Sequence, residues 1–179
     1  MNFKLVTITF ILSAVIMMAP VASSAGLVLD SAHYVINSDL NEINALELKL
    51  DYNIDSINSF QPVLTYHNQE IKLKGTWKIN FLKNMNRISA LNLDLSLTTP
   101  LQDISPEPSI GLSGDVNYLT HNKINLQLDY YLNKPGKNLV YHGGVSLPLS
   151  TTGELTLGFG NSYWNTNQAL FDLGFMFDL

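Results

Sequence analysis

The side chains able to do chemistry in this chain of 179 residues are few in kind and widely spread. There is no cysteine, which removes thiolate nucleophiles, thiolate metal sites and disulfides together. The four histidines are His33, His67, His121 and His142. The stretch "YHGGVS" supplies His142 and Ser146, which share one face of an extended strand. Four residues at strand rise separate them by about 13 Å, too far for a nucleophile and its base to share a hydrogen bond. No stretch has the surroundings of a nucleophile elbow. "SDLNE" and "DISPEPS" hold acids without the spacing of a calcium loop, and the glycines of "LGFGNS" lie between strands instead of opening a helix. Spacing therefore predicts no catalytic residues, no metal and no cofactor. A rim histidine working with an acid or serine is the one enzymatic alternative left open.

The remaining polar residues obey a different rule: they recur at every second position. In "NALELKLDYNI" (44–54), Leu46, Leu48, Leu50, Tyr52 and Ile54 fall on one side of an extended chain. Glu47, Lys49 and Asp51 fall on the other. The same period of two runs through 71–81, "ALNLDLSL", "SIGLSGDVNY" and "KINLQLDYYL", and nothing after Ala25 sustains a helical period. Further strands are expected at about 27–36, 62–67, 138–147, 153–160 and 168–179. On the polar side stand Glu47, Lys49, Asp51, Lys72, Lys74, Lys78, Asp94, Asp115, Asp129, His142, Glu154 and Asp172. Turn residues separate the strands, and every connection is too short for a crossover helix. The expected arrangement is an up-and-down antiparallel meander, closed so that no edge strand remains unpaired.

Ahead of the meander, Lys4 precedes an apolar run from Leu5 to about Met18, and Ser23-Ser24-Ala25 supplies a small-residue cleavage site. Residues 1–25 are read as a signal peptide and 26–179 as a single domain. Nine basic and 15 acidic residues follow Ala25, a formal charge of −6. That balance argues against nucleic acid as a partner. No later run approaches the 18 or so apolar residues of a membrane helix.

Alternation does not say whether the apolar face meets a protein core or lipid. Strands of about 9–12 residues suit a tilted crossing of a bilayer, which takes about 9–11. With both termini in the periplasm, Tyr34, Tyr66, Tyr130, Tyr141 and Phe159 fall towards the outer strand ends. Tyr52, Phe81, Tyr118 and Phe177 fall towards the inner ends, which makes two aromatic belts. Trp77, near mid-strand, stands outside both. The last stretch, "ALFDLGFMFDL", alternates without a break through Phe171, Leu173, Phe175, Phe177 and Leu179. Here the chain resembles small Gram-negative outer-membrane β-barrel proteins, whose last strand carries such a run with a terminal aromatic. This chain departs from the pattern in ending on Leu179. The resemblance implies outer-membrane lipid and the barrel-assembly machinery as partners, the latter reading the last strand.

The expectation is an all-β, up-and-down antiparallel transmembrane β-barrel of about 8–10 strands in the outer membrane. At that strand number side chains fill the interior, so the polar residues would form an occluded, charged lumen network. The expected role is non-enzymatic: structural, surface-interacting or a narrow pore. The alternatives are a soluble periplasmic β-barrel binding an apolar ligand, and an outer-membrane hydrolase with a rim histidine.

Overall fold

Residues alternating apolar and polar with β-branched and aromatic enrichment favour long strands, and the computed structural model consists of ten. It describes residues 28–38, 43–85, 87–102, 105–118, 122–133, 138–161 and 169–178. Residues 1–25, expected to be a signal peptide, and His121, Leu179 and residues 162–168 with Trp164 lie outside them. The strands are β1 (Val28–Ser38), β2 (Ile43–Asn53), β3 (Asn58–His67), β4 (Glu70–Met85), β5 (Ile88–Pro100), β6 (Glu107–Asn117), β7 (Lys123–Tyr131), β8 (Leu139–Pro148), β9 (Gly153–Asn161) and β10 (Ala169–Asp178). Each pairs antiparallel with its sequence neighbours, and β1 pairs with β10 to close the barrel. The strand expected at 62–67 starts earlier, at Asn58, because Phe60 and Gln61 find partners in Trp77 and Thr76.

The two ends of the barrel differ. At the near end, where β1 starts and β10 finishes, the connections are 54–57, 86–87, 118–122 and 149–152. At the far end they are 39–42, 68–69, 101–106, 132–138 and 162–168, so the longest connections gather there. Near-end turns are built from local bonds. Asp55 Oδ1 accepts from the Ile57 and Asn58 backbone amides at 2.7 Å each and folds the chain back into β3. At the far end Asn68 and Gln69 both have positive φ, the requirement of a two-residue hairpin that follows strand twist.

Which face is inside follows from contacts that skip strands. Lys74 on β4 reaches Asp129 on β7, Lys78 on β4 reaches Asp51 on β2, and Lys123 on β7 reaches Glu154 on β9. Only side chains on the concave face can meet over an intervening strand, so the charged face of each strand is the lumen wall. The apolar face points outward. Leu95, Leu97, Ile110, Leu112, Leu126, Leu128, Leu157 and Phe159 are exposed on it, as are Phe171, Leu173, Phe175 and Phe177 of β10. On β1–β3 the same outward face packs Ala32, Leu48, Leu50 and Tyr52 into an apolar cluster with Leu29, Tyr34 and Leu64. A water-soluble barrel would bury such a face, whereas a barrel in lipid presents it.

Register also places Trp77. Its partner is Phe60, and its indole Nε1 donates to Asn58 Oδ1, the first residue of β3, at 3.1 Å. Although midway along the 16-residue β4, Trp77 is therefore level with the near end of β3. Phe60 joins it to Tyr52, its partner on β2, in one aromatic row.

Candidate functional site in the barrel lumen

Inward-facing residues from all ten strands make one polar surface. At the far end a cavity of about 110 Å³ opens between the strand ends, with Lys49, Lys72, Lys74, Asp129, His142 and Asp172 on its wall. Asn37, Thr65, Thr98, Tyr131 and Leu170 surround its mouth. On its wall and below it, charged side chains pair, some of them across the barrel. Lys74 Nζ donates to Asp129 Oδ2 at 2.7 Å, and Gln127 Nε2 reaches the same oxygen at 2.8 Å. Lys49 lies 3.3 Å from Glu47, Lys78 3.8 Å from Asp51, and Lys123 2.9 Å from Glu154. Asp51 is held more closely by Gln61 Nε2, at 2.7 Å, and accepts from Ser31 Oγ at 3.3 Å.

His142 and Asp172 meet at 2.7 Å although β9 runs between their strands. The close approach depends on Gly158: a Cβ there would stand 2.6 Å from His142 Nε2. The glycines of β8 and β9 thus work as floor under a side chain that crosses a strand, the close packing that glycine within a strand signals.

A chain of hydrogen bonds that ends at Asp115 links the opposite wall. His33 Nε2 lies 3.2 Å from Thr156 Oγ1, which lies 3.2 Å from Ser146 Oγ. Ser146 donates to Asn125 Oδ1 at 2.9 Å, and Asn125 Nδ2 donates to Asp115 Oδ1 at 2.9 Å. Five strands are joined this way, and mutually polarised bonds of this kind stiffen one another.

The structure thus places Glu47, Lys49, Asp51, Lys72, Lys74, Lys78, Asp94, Asp115, Asp129, His142, Glu154 and Asp172 on the inward face. It brings Lys74 to Asp129, Lys78 to Asp51 and His142 to Asp172 from far apart in sequence, and gathers the set in no single centre. His33 is at mid-strand in the lumen, because β1 extends beyond it to Ser38. His67 closes β3 at the far end, its Nε2 3.1 Å from Asn68 Nδ2. Ser146 is engaged by Asn125 and Thr156, and His142 by Asp172, so the histidine and serine of "YHGGVS" serve different partners. Sequence reasoning missed His33, Gln61, Gln127, Asn125 and Lys123 as lumen groups. Their parity within alternating segments was the available signal. Among the described residues no group of three or more His, Cys, Asp or Glu gathers around a common point.

Charge is unevenly distributed around the wall. The inward face of β4 carries Lys72, Lys74, Lys78 and, past its bulge, Lys83, with one carboxylate, Glu70, at its far rim. Across the barrel, β9 and β10 carry Glu154 and Asp172 inward and no lysine. Among the described residues the inward carboxylates (Glu47, Asp51, Glu70, Asp94, Glu107, Asp115, Asp129, Glu154, Asp172, Asp178) outnumber the inward lysines (Lys49, Lys72, Lys74, Lys78, Lys83, Lys123).

No family model and no curated protein matches the chain. Among solved structures, a KdgM porin is similar over 83% of this chain and 99% of its own, with a TM-score of 0.57 and 11% identity. The KdgM porin in complex with disordered oligogalacturonate is similar over 85% and 99%, with a TM-score of 0.54 and 11% identity. At that identity the likeness is one of architecture, and it coincides with the outward apolar face and polar lumen. The chain is a small closed ten-stranded β-barrel with the fold of a porin, its apolar face turned outward.

Proposed function

We propose that the protein is a narrow pore for small cations and neutral polar solutes, held nearly closed by side chains that pair across its lumen. The observation that carries this reading is the charged inner wall, with a cavity opening between the far strand ends and the Lys74–Asp129 pair beneath it. Lysines on β4 facing carboxylates on β9 and β10 set a transverse field in a space narrow enough for water to screen it poorly. The short near-end turns suit the periplasm and the longer far-end connections the outside, so the cavity faces outward.

One similar structure is a complex with an acidic oligosaccharide, oligogalacturonate. In this chain inward carboxylates outnumber lysines. A wall of that sign attracts cations and repels a polyanion, which favours the smaller, cationic or neutral cargo.

The test is conductance in planar bilayers containing the purified barrel, with a salt gradient to read selectivity. The expected result is small unitary steps with a reversal potential on the cation side. Larger steps are expected when Lys74→Ala and Asp129→Ala are combined. No steps from either protein, while each still shows the heat-dependent gel mobility of a folded barrel, would overturn the pore reading.

A further inference from the structure

We propose that the lumen also holds a resident hard cation, of the calcium type, bound over Gly111 by Asp94, Asp129 and Ser109. The site does not depend on whether the barrel conducts. It starts from register: Lys78, Asp94, Gly111 and Asp129 form one row across β4, β5, β6 and β7. Gly111 has no side chain, and a Cβ there would stand 2.5 Å from Asp129 Oδ1 and 2.5 Å from the Leu128 carbonyl oxygen. The Asp129 carboxylate therefore lies over β6, on the side of Asp94.

The oxygens in this patch lack partners. Asp94 is fully buried and neither of its carboxylate oxygens has a hydrogen bond. Asp129 Oδ1 is equally bare, while its Oδ2 takes both Lys74 and Gln127. Ser109 is the next inward residue of β6 after Gly111, buried, and its Oγ has no partner either. Bare buried carboxylate oxygens are among the costliest arrangements a protein interior can hold.

The neighbouring lysines are turned elsewhere. Lys74 is bonded to the other oxygen of Asp129, and Lys78 makes its ion pair with Asp51. Ser113 Oγ accepts from Asn92, and its own hydroxyl, beside Asp94, is the one neutral donor within reach of that carboxylate. What remains is an all-oxygen set of two carboxylates and a hydroxyl, with Lys74 bonded to the far oxygen of Asp129 and Lys78 beside Asp94 but paired with Asp51. An all-oxygen donor set selects a hard cation over a transition metal.

The test is calorimetric titration of Ca²⁺ into the full chain, purified from membranes in detergent and stripped with chelator. Heat-dependent gel mobility is followed alongside. The expected result is one Ca²⁺ per barrel and a higher transition temperature in Ca²⁺ than in chelator. Asp94→Asn and Asp129→Asn should each weaken binding at least 100-fold. Ser109→Ala, which leaves every charge in place, should weaken it about tenfold. Asp115→Asn, in the lumen but bonded to Asn125, should bind as the parent does. Lys78→Gln should bind as tightly or more tightly. Absence of Ca²⁺ binding by the parent would overturn the site, as would unchanged binding in Asp94→Asn. So would a parent indifferent to Ca²⁺ whose transition temperature falls in Lys78→Gln, since Lys78 would then be the counter-charge of Asp94.

Discussion

Replacing Lys74 by Met tests how far the barrel depends on pairing across its lumen. Lys74 Nζ and Asp129 Oδ2 are 2.7 Å apart, with the two side chains 15% and 3% exposed, so solvent screens the pair little. At an effective dielectric of 20 the gross attraction at that distance is about 6 kcal/mol. Desolvation of both ions offsets most of this. Loss of one partner is a different matter, because the other charge stays buried, and such single changes cost about 3–5 kcal/mol. Asp129 keeps the Gln127 bond to the same oxygen, which sets the expectation for Lys74→Met at the low end, about 3 kcal/mol. Asp129→Leu, which strands Lys74, should cost a similar amount. The double variant, with two apolar side chains in contact, removes both desolvation costs with the attraction and should cost under about 1 kcal/mol, so the coupling energy takes up most of the two single losses. The assay is urea unfolding of the barrel in lipid vesicles containing chelator, followed by tryptophan fluorescence, with equal slopes required before midpoints are compared. Single changes costing under about 1 kcal/mol, or a double variant equal to the sum of the singles, would refute the reasoning.

Leu48→Arg puts a charge on the outward face and should cost about 2–4 kcal/mol near mid-membrane. Lys49→Gln, one residue on but inward and in a partly exposed pair with Glu47, should cost under about 1 kcal/mol; equal losses in the same unfolding assay would contradict the assigned facing. Gly160→Ala should destabilise by about 1–3 kcal/mol through overpacking, because its Cβ would stand 2.3 Å from the Tyr141 carbonyl oxygen. Gly143→Ala on the outward face, where the nearest atom is 3.6 Å away, should be close to neutral, and gel-shift temperatures of the two variants check the contrast. Asp55 lies in an exposed turn, where the Asn58 side chain and the Ile57 and Asn58 amides hold its carboxyl below the usual range. A lowered folded pKa contributes stability that is complete above the unfolded value, about pH 4, and is lost as pH falls through the folded one. The stability gap between the parent and Asp55→Ala should therefore be constant at neutral pH and narrow only in acid, and a gap independent of pH down to 2 would remove the carboxylate from the explanation.

What could be read along the chain is what has a short period. Successive side chains of a strand point to opposite faces, so "NALELKLDYNI" by itself separates Leu46, Leu48, Leu50 and Tyr52 from Glu47, Lys49 and Asp51. Its turn-bounded recurrence announces a meander of about ten strands, and the ten strands found are the expected segments with adjusted ends. Partnership was not legible in the same way. Lys74 meets Asp129 across 55 residues, and His142 meets Asp172 over a strand whose glycine leaves room for the ring. These contacts depend on barrel closure and on register, which no local pattern specifies. Trp77 illustrates the point: mid-strand by count, it stands level with a strand end because β4 outruns β3 and pairs it with Phe60. The row of Asp94, Gly111 and Asp129 is likewise invisible until three strands are aligned. Sequence alone determined which residues share a face, because that is set by the two-residue pleat of each strand. The tertiary structure decided which face is the lumen and who meets whom inside it, because only closure of the ring makes one face concave and brings distant strands within reach.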